Sequence, residues 1–415
     1  MEKKVVLIGL GYIGLPTATF FAKKGIETVG TDINPQTVEK VNRGENPIFE
    51  PTLNNMVKEV VANKKLRATT VAEQADAFII AVPTPFKENH EPDISYVLNA
   101  VESLANVVKS GDIIILESTS PVGTTEIIAK RLQELRPDLK IPTNYNENGE
   151  IFISYCPERM IPGNVFELIK NDRIIGGINE KSAFEAKKIY ELIIEGQIIC
   201  TNSRTAEMSK LTENSFRDVN IAFANELSII CDKMGINVFE LIKLANHHPR
   251  VNILTPGCGV GGHCIAVDPW FIISQTPEQS KLLHTARLIN DYKPQFVLSK
   301  VDAKVNELIS SGKTINEIKI ACLGLSFKPN IDDLRESPAI KIASILSQKY
   351  PNVISVEPHI KELPEKYKNS GIKLKSIEEA LTADIIVPLV KHNAFINLDL
   401  QKIKDKLVDY IGLNQ

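Results

Sequence analysis

The sequence predicts an α/β chain in three parts: a doubly wound domain, a helical middle domain with one long helix, and a second α/β domain. Three observations predict it. Short β-branched runs alternate with amphipathic segments over the first 200 residues; the stretch 203–234 then contains neither Gly nor Pro; and strand-like runs return near residue 315. The expected boundaries are 1–200, 201–300 and 315–415.

In order along the chain, Val5–Ile8, Thr28–Thr31, Ala77–Val82 and Asp112–Glu117 read as buried parallel strands, being short β-branched runs between amphipathic segments. Pro16–Lys24 and Ile94–Val108 read as the helices between them. Ile151–Tyr155 and Asp172–Gly176 extend the same sheet. From Ser203 to Met234, Phe216, Val219, Phe223, Leu227 and Ile230 recur at helical spacing, which predicts one long helix. A Gly/Pro-rich loop, Pro256 to Pro269, interrupts the helical domain. Lys319–Phe327, Val353–Val356 and Asp384–Val390 read as the strands of the last part.

Composition excludes several classes. The 415 residues are 43% apolar and 24% charged, with 48 basic against 51 acidic side chains and a net charge of −3. A nucleic-acid or anionic-membrane partner needs a basic excess that is absent. The six cysteines lie far apart, mostly in apolar stretches, as in a reduced intracellular protein. No run of about 18 apolar residues occurs. The apolar segment after Met1–Lys4 is broken by Gly9, Gly11 and Gly14 and lacks a cleavage site. A cytoplasmic protein is expected.

The first motif is Gly9, Gly11 and Gly14, with Tyr12 and Ile13 between them, directly after a strand and opening a helix. Glycines serve there for a tight turn, close pyrophosphate approach and helix–strand packing, and the helix N-terminus favours phosphate. Asp32 ends the next strand, where a carboxylate suits the ribose hydroxyls, and no basic residue sits directly beside it, Ile33, Asn34 and Pro35 following. This is a Rossmann-type dinucleotide site, and Asp32 favours NAD over NADP. Thr84 and Thr119 stand at two later strand ends facing the same crevice, where turn chemistry explains them equally well.

The second motif holds Cys258, Gly261, Gly262, His263, Cys264 and Asp268. Three readings stay open on the residues alone: a zinc site, although the spacing fits known patterns poorly; two small core cysteines; or Cys264 as a covalent nucleophile beside Asp268. Lys210, Asn214 and Arg217 form a polar stripe on an otherwise apolar helix, which suits an oxyanion clamp or an anion site. Glu158 follows a strand as a candidate general base or a capping acid. Lys328 and Arg335, in the loop after Phe327, suit a nucleotide diphosphate or a surface ion pair with Asp332 and Asp333.

Together, in this order, these blocks resemble the nucleotide-sugar 6-dehydrogenases, the family of UDP-glucose dehydrogenase, over nearly the whole chain. Residues 157–159, 206–226 and 261–270 look most like members acting on UDP-N-acetyl-D-mannosamine, and Arg159 and His263 suggest a pocket for an N-acetylated sugar. UDP-N-acetylglucosamine and UDP-glucose are the alternatives. The resemblance implies two hydride transfers that oxidise a C6 alcohol to a carboxylate and reduce two NAD⁺, in support of surface-polysaccharide synthesis. Cys264 would capture the aldehyde and pass to a thioester. Lys210, Asn214 and Asp268 match positions holding the C6 oxygen or a water, and Glu158 and Thr119 match hydrolytic and positioning roles. Glu158, Arg159, Met160, Lys210, Asn214, Arg217, Gly261, Phe327, Lys328 and Arg335 are the implied substrate contacts. A homodimer built on the long helix is implied too, with His248 and Arg250 reaching the neighbour's substrate. The family's basic residue near the C-terminus has no counterpart in Val408–Gly412. A two-electron hydroxyacid or polyol dehydrogenase and a non-catalytic nucleotide-sugar sensor are the rival readings.

Overall fold

A computed structural model describes residues 3–48, 50–159, 165–262 and 264–413. The chain divides into two compact units: one runs to Glu213 and takes in Trp270–Gln275, the other comprises Asn214–Pro269 and continues from Thr276.

The first unit carries β1 (Lys4–Ile8), α1 (Gly14–Lys23), β2 (Glu27–Thr31), α2 (Pro35–Asn42), α3 (Asn54–Ala62), β3 (Leu66–Thr69), β4 (Ala77–Ile80), α4 (Ser95–Leu104), β5 (Ile113–Leu116), α5 (Thr124–Leu135), β6 (Phe152–Tyr155), α6 (Glu167–Lys170), β7 (Arg173–Gly177), α7 (Glu180–Tyr190) and β8 (Ile198–Asn202). The strands form one sheet in the order β3-β2-β1-β4-β5-β6-β7-β8. All pairings are parallel except β6 with β7, which is antiparallel. Helices cover both faces: Val5 and Leu7 enter one apolar core, Val6 and Ile8 the other. That double burial is why the strand sequences show no polar alternation. The doubly wound expectation is met, and β6 and β7 extend the sheet as expected. β3 and β8 are additions that the sequence texture did not mark.

Helix α8 (Ser203–Met234) runs unbroken from the first unit into the second. The second unit adds α9 (Val238–Ala245), the start of α10 (Asp268–Gln275), α11 (Lys281–Ser310), β9 (Ile320–Leu323), α12 (Pro338–Lys349), β10 (Val353–Val356), α13 (Ile377–Leu381), β11 (Ile385–Pro388) and α14 (Asn393–Ile396). The three strands form a parallel sheet in the order β10-β9-β11. Sequence texture separates the middle helices from the last α/β part, yet both lie in this unit. The reason is α11, whose Val297, Val301 and Val305 enter the same core as β9, β10 and β11.

The apolar stripe of α8 is only partly covered: Leu227 packs against the small cluster of Cys231, Val238 and Ile242, while its aromatic members stay exposed. Phe216, Phe223 and Met234 are 68%, 54% and 66% exposed, and Ile230 is exposed as well. The buried face is instead small and polar: Ser215, Asp218, Ala222, Asn225 and Ser228. Its partners come from α11, where Arg287 Nη1 donates to Asp218 Oδ1 at 2.7 Å, Asn290 Nδ2 donates to the same oxygen at 2.8 Å, and Asn225 Nδ2 donates to Asn290 Oδ1 at 2.9 Å.

Candidate active site

The order of the first sheet reverses at β1, between β2 and β4, so a crevice opens beyond the carboxyl ends of β1 and β4. Gly9 sits there at φ +94°, and a Cβ on it would lie 2.4 Å from the Ala81 carbonyl oxygen. A Cβ on Gly14 would lie 1.9 Å from the Gly9 oxygen. Around Gly11, by contrast, nothing lies within 4 Å of an added Cβ. Two glycines are thus required by the chain itself, and the third leaves room for a pyrophosphate at the N-terminus of α1, which has no side-chain cap. Tyr12 and Ile13 complete this turn. Asp32 is fixed by two amides, with Leu10 N–H donating to Oδ2 and Asn34 N–H to Oδ1, each at 2.9 Å. The residues fit a dinucleotide. The Thr84 hydroxyl donates to the Thr119 carbonyl, which ties the two strand-end loops together.

Glu158 lies in the turn after β6 and is only 8% exposed. Burial raises its pKa above the usual carboxylate range, while the charges of Arg173 and Lys210 pull it back down. Its Oε1 has no hydrogen-bond partner among the described residues. Lys210 Nζ donates to the Glu158 carbonyl at 2.8 Å, so the structure brings these two candidates together through the backbone of the turn. Arg159 forms an ion pair with Glu213 and donates to the Asp172 carbonyl at 3.1 Å. Met160 lies outside the described residues. One turn before Lys210, the buried Glu207 accepts from Gly123 N–H, Thr125 N–H and the Thr125 hydroxyl at 2.6, 2.8 and 2.6 Å. It anchors the loop that follows Thr119. Nothing in the sequence singled out Glu207 or Arg173; each is one charged residue in a helix or strand.

In the second unit, Cys264 is exposed in a turn whose carbonyl accepts the N–H groups of Val267 and Asp268 at 3.0 and 2.8 Å. Asp268 is buried and accepts from Asn214 Nδ2. Cys258, six residues earlier, is buried in the core, and burial pushes its thiol up to about 12. The glycines between them are sterically required: a Cβ on Gly261 would lie 2.6 Å from Glu336 O and 2.8 Å from Phe327 Cβ. Gly262 N–H donates to Arg335 O at 3.2 Å. Gly261, Phe327 and Arg335 are thereby brought together. The Arg335 guanidinium pairs with Asp333 at 2.6 Å, and Lys328 is exposed. A further support, Asn225, accepts Gly257 N–H at 2.9 Å. His263 lies outside the described residues. Among the described residues the cluster with metal-ligand geometry is Glu357, His359 and His392, which contains neither cysteine. Arg217, His248 and Arg250 are exposed, and Arg250 N–H donates to His248 Nδ1 at 3.3 Å. At the C-terminus, the Tyr410 hydroxyl donates to Asp232 at 2.7 Å and Lys391 Nζ to Gly412 O at 2.6 Å.

Three models of the UDP-glucose/GDP-mannose dehydrogenase family match the chain in sequence: its NAD binding domain over residues 3–194, its central domain over 204–292 and its UDP binding domain over 321–411. The chain is 55% identical to the UDP-N-acetyl-D-mannosamine dehydrogenase of Campylobacter jejuni, over 96% of this chain and 98% of that protein. It is 56% identical to the protein of the same name from Escherichia coli K12, over 94% of each. The solved structure of the UDP-D-ManNAc dehydrogenase from Pyrococcus horikoshii superposes with a TM-score of 0.87 at 38% identity, covering 99% of this chain and 96% of that one.

Proposed function

From the premise that the chain belongs to the UDP-glucose/GDP-mannose dehydrogenase family and is an NAD-dependent oxidoreductase, we propose that it oxidises C6 of UDP-N-acetyl-D-mannosamine to the uronate in two steps. NAD⁺ would be held by Gly9, Gly11, Gly14 and Asp32 and would supply the hydride acceptor for each step. Loss of a proton and a hydride from the C6 alcohol gives an aldehyde. The Cys264 thiolate adds to its carbonyl carbon, forming a C–S bond as the C=O π pair moves onto the oxygen to give a thiohemiacetal. Loss of the second hydride gives a thioester, and water attacks its carbon, breaking the C–S bond and returning the electron pair to sulfur. Glu158 takes the proton of that water. Asn214 and Asp268 hold the C6 oxygen or the water, and Lys210 steadies the Glu158 turn.

The observation that carries this reading is Cys264: an exposed thiol four residues ahead of a buried aspartate held by Asn214, where its neighbour Cys258 is buried and inert. The half-buried Arg159 and the names of the relatives support an N-acetylated sugar. A homodimer suits the exposed heptad-spaced stripe of Phe216, Phe223 and Ile230 on α8, with Arg250 directed to the neighbour. We place the enzyme in the cytoplasm, supplying surface-polysaccharide synthesis. The test is NADH formed per sugar with UDP-N-acetyl-D-mannosamine, UDP-N-acetylglucosamine and UDP-glucose. Two NADH per UDP-N-acetyl-D-mannosamine are expected. One would point to a two-electron dehydrogenase, and none with retained binding to a sensor.

A further inference from the structure

The turn that carries Glu158 has its carbonyl groups held by side chains. Arg173 Nη1 donates to Pro157 O at 2.8 Å, Lys210 Nζ to Glu158 O at 2.8 Å, and Asn171 Nδ2 to Arg159 O at 3.1 Å. Arg173, the first residue of β7, has no solvent exposure, and its Nη2 donates to Leu168 O at 3.3 Å. Facing it at 3.5 Å is the equally buried Glu117, whose Oε2 accepts the Thr17 hydroxyl at 3.2 Å. Tyr190 from α7 and Cys156 complete its surroundings, and the Arg173 guanidinium lies 5.7 Å from the Tyr190 ring centre. A charge removed from water in this way costs several kcal/mol before pairing. An apolar side chain would leave the Pro157 and Leu168 carbonyls without this donor and Glu117 without its cation, so Arg173 ties the Glu158 turn to the buried charge of the sheet.

We propose that Arg173 is the positioning residue of Glu158: it fixes the turn through the Pro157 carbonyl and places a buried positive charge behind that turn. The proposal rests on the reading of Glu158 as the group that takes the water's proton when the thioester C–S bond breaks. Electrostatics agree with the geometry. Burial pushes the Glu158 pKa up, and Arg173 ahead of Lys210 pulls it down. Burial opposes the Arg173 charge, yet Cys156, Glu117 and Glu158 raise its pKa above the ordinary value. Glu117 is pushed up to about 7 by burial, with Arg173 lowering it and Glu158 raising it, so the Arg173 charge acts on both carboxylates. Removing that cation raises the pKa of Glu158, and the pH below which hydrolysis fails moves upward.

The test compares full-length R173Q, R173K and E158Q with wild type by the pH profile of kcat for NADH formation, KM, and the mass of enzyme trapped during turnover. R173Q is expected to move the acidic limb of kcat upward by about one pH unit or more, to lower kcat at neutral pH at least about tenfold with KM within about threefold, and to accumulate the sugar-nucleotide thioester. R173K keeps the charge and loses the fork, so its limb stays within about 0.3 units while kcat falls. E158Q is expected to abolish turnover with the adduct trapped. If E158Q turns over normally, the reading of Glu158 is wrong. If E158Q fails and R173Q keeps the wild-type limb, the role given to Arg173 is wrong. Should R173Q not fold, R173K decides: a wild-type kcat, or a limb shifted by about a full unit, overturns the proposal.

Discussion

Glu207→Ala removes one buried carboxylate that satisfies three donors, and the structure sets the size of the effect. Gly123 N–H and Thr125 N–H open helix α5, whose N-cap Gly123 has φ +97° and no side-chain cap of its own. Without Glu207 both amides and the Thr125 hydroxyl are buried without acceptors, at about 1–3 kcal/mol for each group. Against this stands relief of a strained charge. Burial raises Glu207 to about 6 from 4.5, so keeping it ionised costs roughly 2 kcal/mol above pH 6. The net loss for E207A is about 1–7 kcal/mol at pH 7, three unsatisfied groups less the relieved charge. The pH dependence has a definite sign. Between pH 4.5 and about 6 the folded state binds the proton more tightly than the unfolded state, so wild type loses stability as pH rises through that window. Glu207→Gln removes this slope, and its cost relative to wild type shrinks by roughly 2 kcal/mol from pH 4.5 to pH 7. Urea denaturation followed by circular dichroism at the two pH values measures both effects. An E207A variant within about 0.5 kcal/mol of wild type, or a Gln variant whose cost grows with pH, refutes the reasoning.

Four further outcomes are expected. With Asp32 held by two amides at the ribose position, kcat/KM for NAD⁺ should exceed that for NADP⁺ by about a hundredfold, and equal values would contradict the assignment. Gly14→Ala places a methyl group 1.9 Å from the Gly9 oxygen, so NAD⁺ affinity by calorimetry should fall at least about tenfold; an unchanged Kd is the opposing result. Cys264→Ser should keep NAD⁺ and UDP-sugar binding but lose turnover by about a thousandfold or more, whereas Cys258→Ser stays near wild type in turnover; near-normal NADH production by Cys264→Ser removes the nucleophile from the mechanism. Phe223→Glu puts a charge in the exposed stripe of α8 and should shift the proposed dimer to monomer in sedimentation; a wild-type monomer refutes the dimer, and a dimer unaltered by the substitution places the interface elsewhere.

The parts of the fold legible in the sequence are those where one residue type answers to one physical demand. Val5 to Ile8 are buried on both sheet faces, so a continuous apolar run marks the strand. Gly9 and Gly14 are forced by backbone oxygens 2.4 and 1.9 Å from where a Cβ would lie, and the motif is legible for that reason. β8 was not legible: its residues are half-buried or exposed, at the sheet edge beside β7 alone. On α8 the absence of Gly and Pro marks a helix, but periodicity cannot assign its faces. Asp218 and Asn225 are buried because Arg287 and Asn290 arrive from α11, which no local pattern announces.

The same limit applies to the site. Cys258 and Cys264 share one glycine-rich segment, and only burial separates a thiol pushed up to about 12 from an exposed one. Glu158 could be picked out because it follows a strand; its environment could not, since Arg173, Lys210 and Asn171 meet its turn from β7, α8 and the residues after α6. Glu207 shows the general form of the difficulty. Its carboxylate serves Gly123 and Thr125, more than 80 residues earlier, and its own neighbours on α8 say nothing of that duty. A charged side chain in a helix reads as solvated until its partner is known, so candidate reactive residues are visible in the sequence while the buried charges packed around them are found only once the chain is folded.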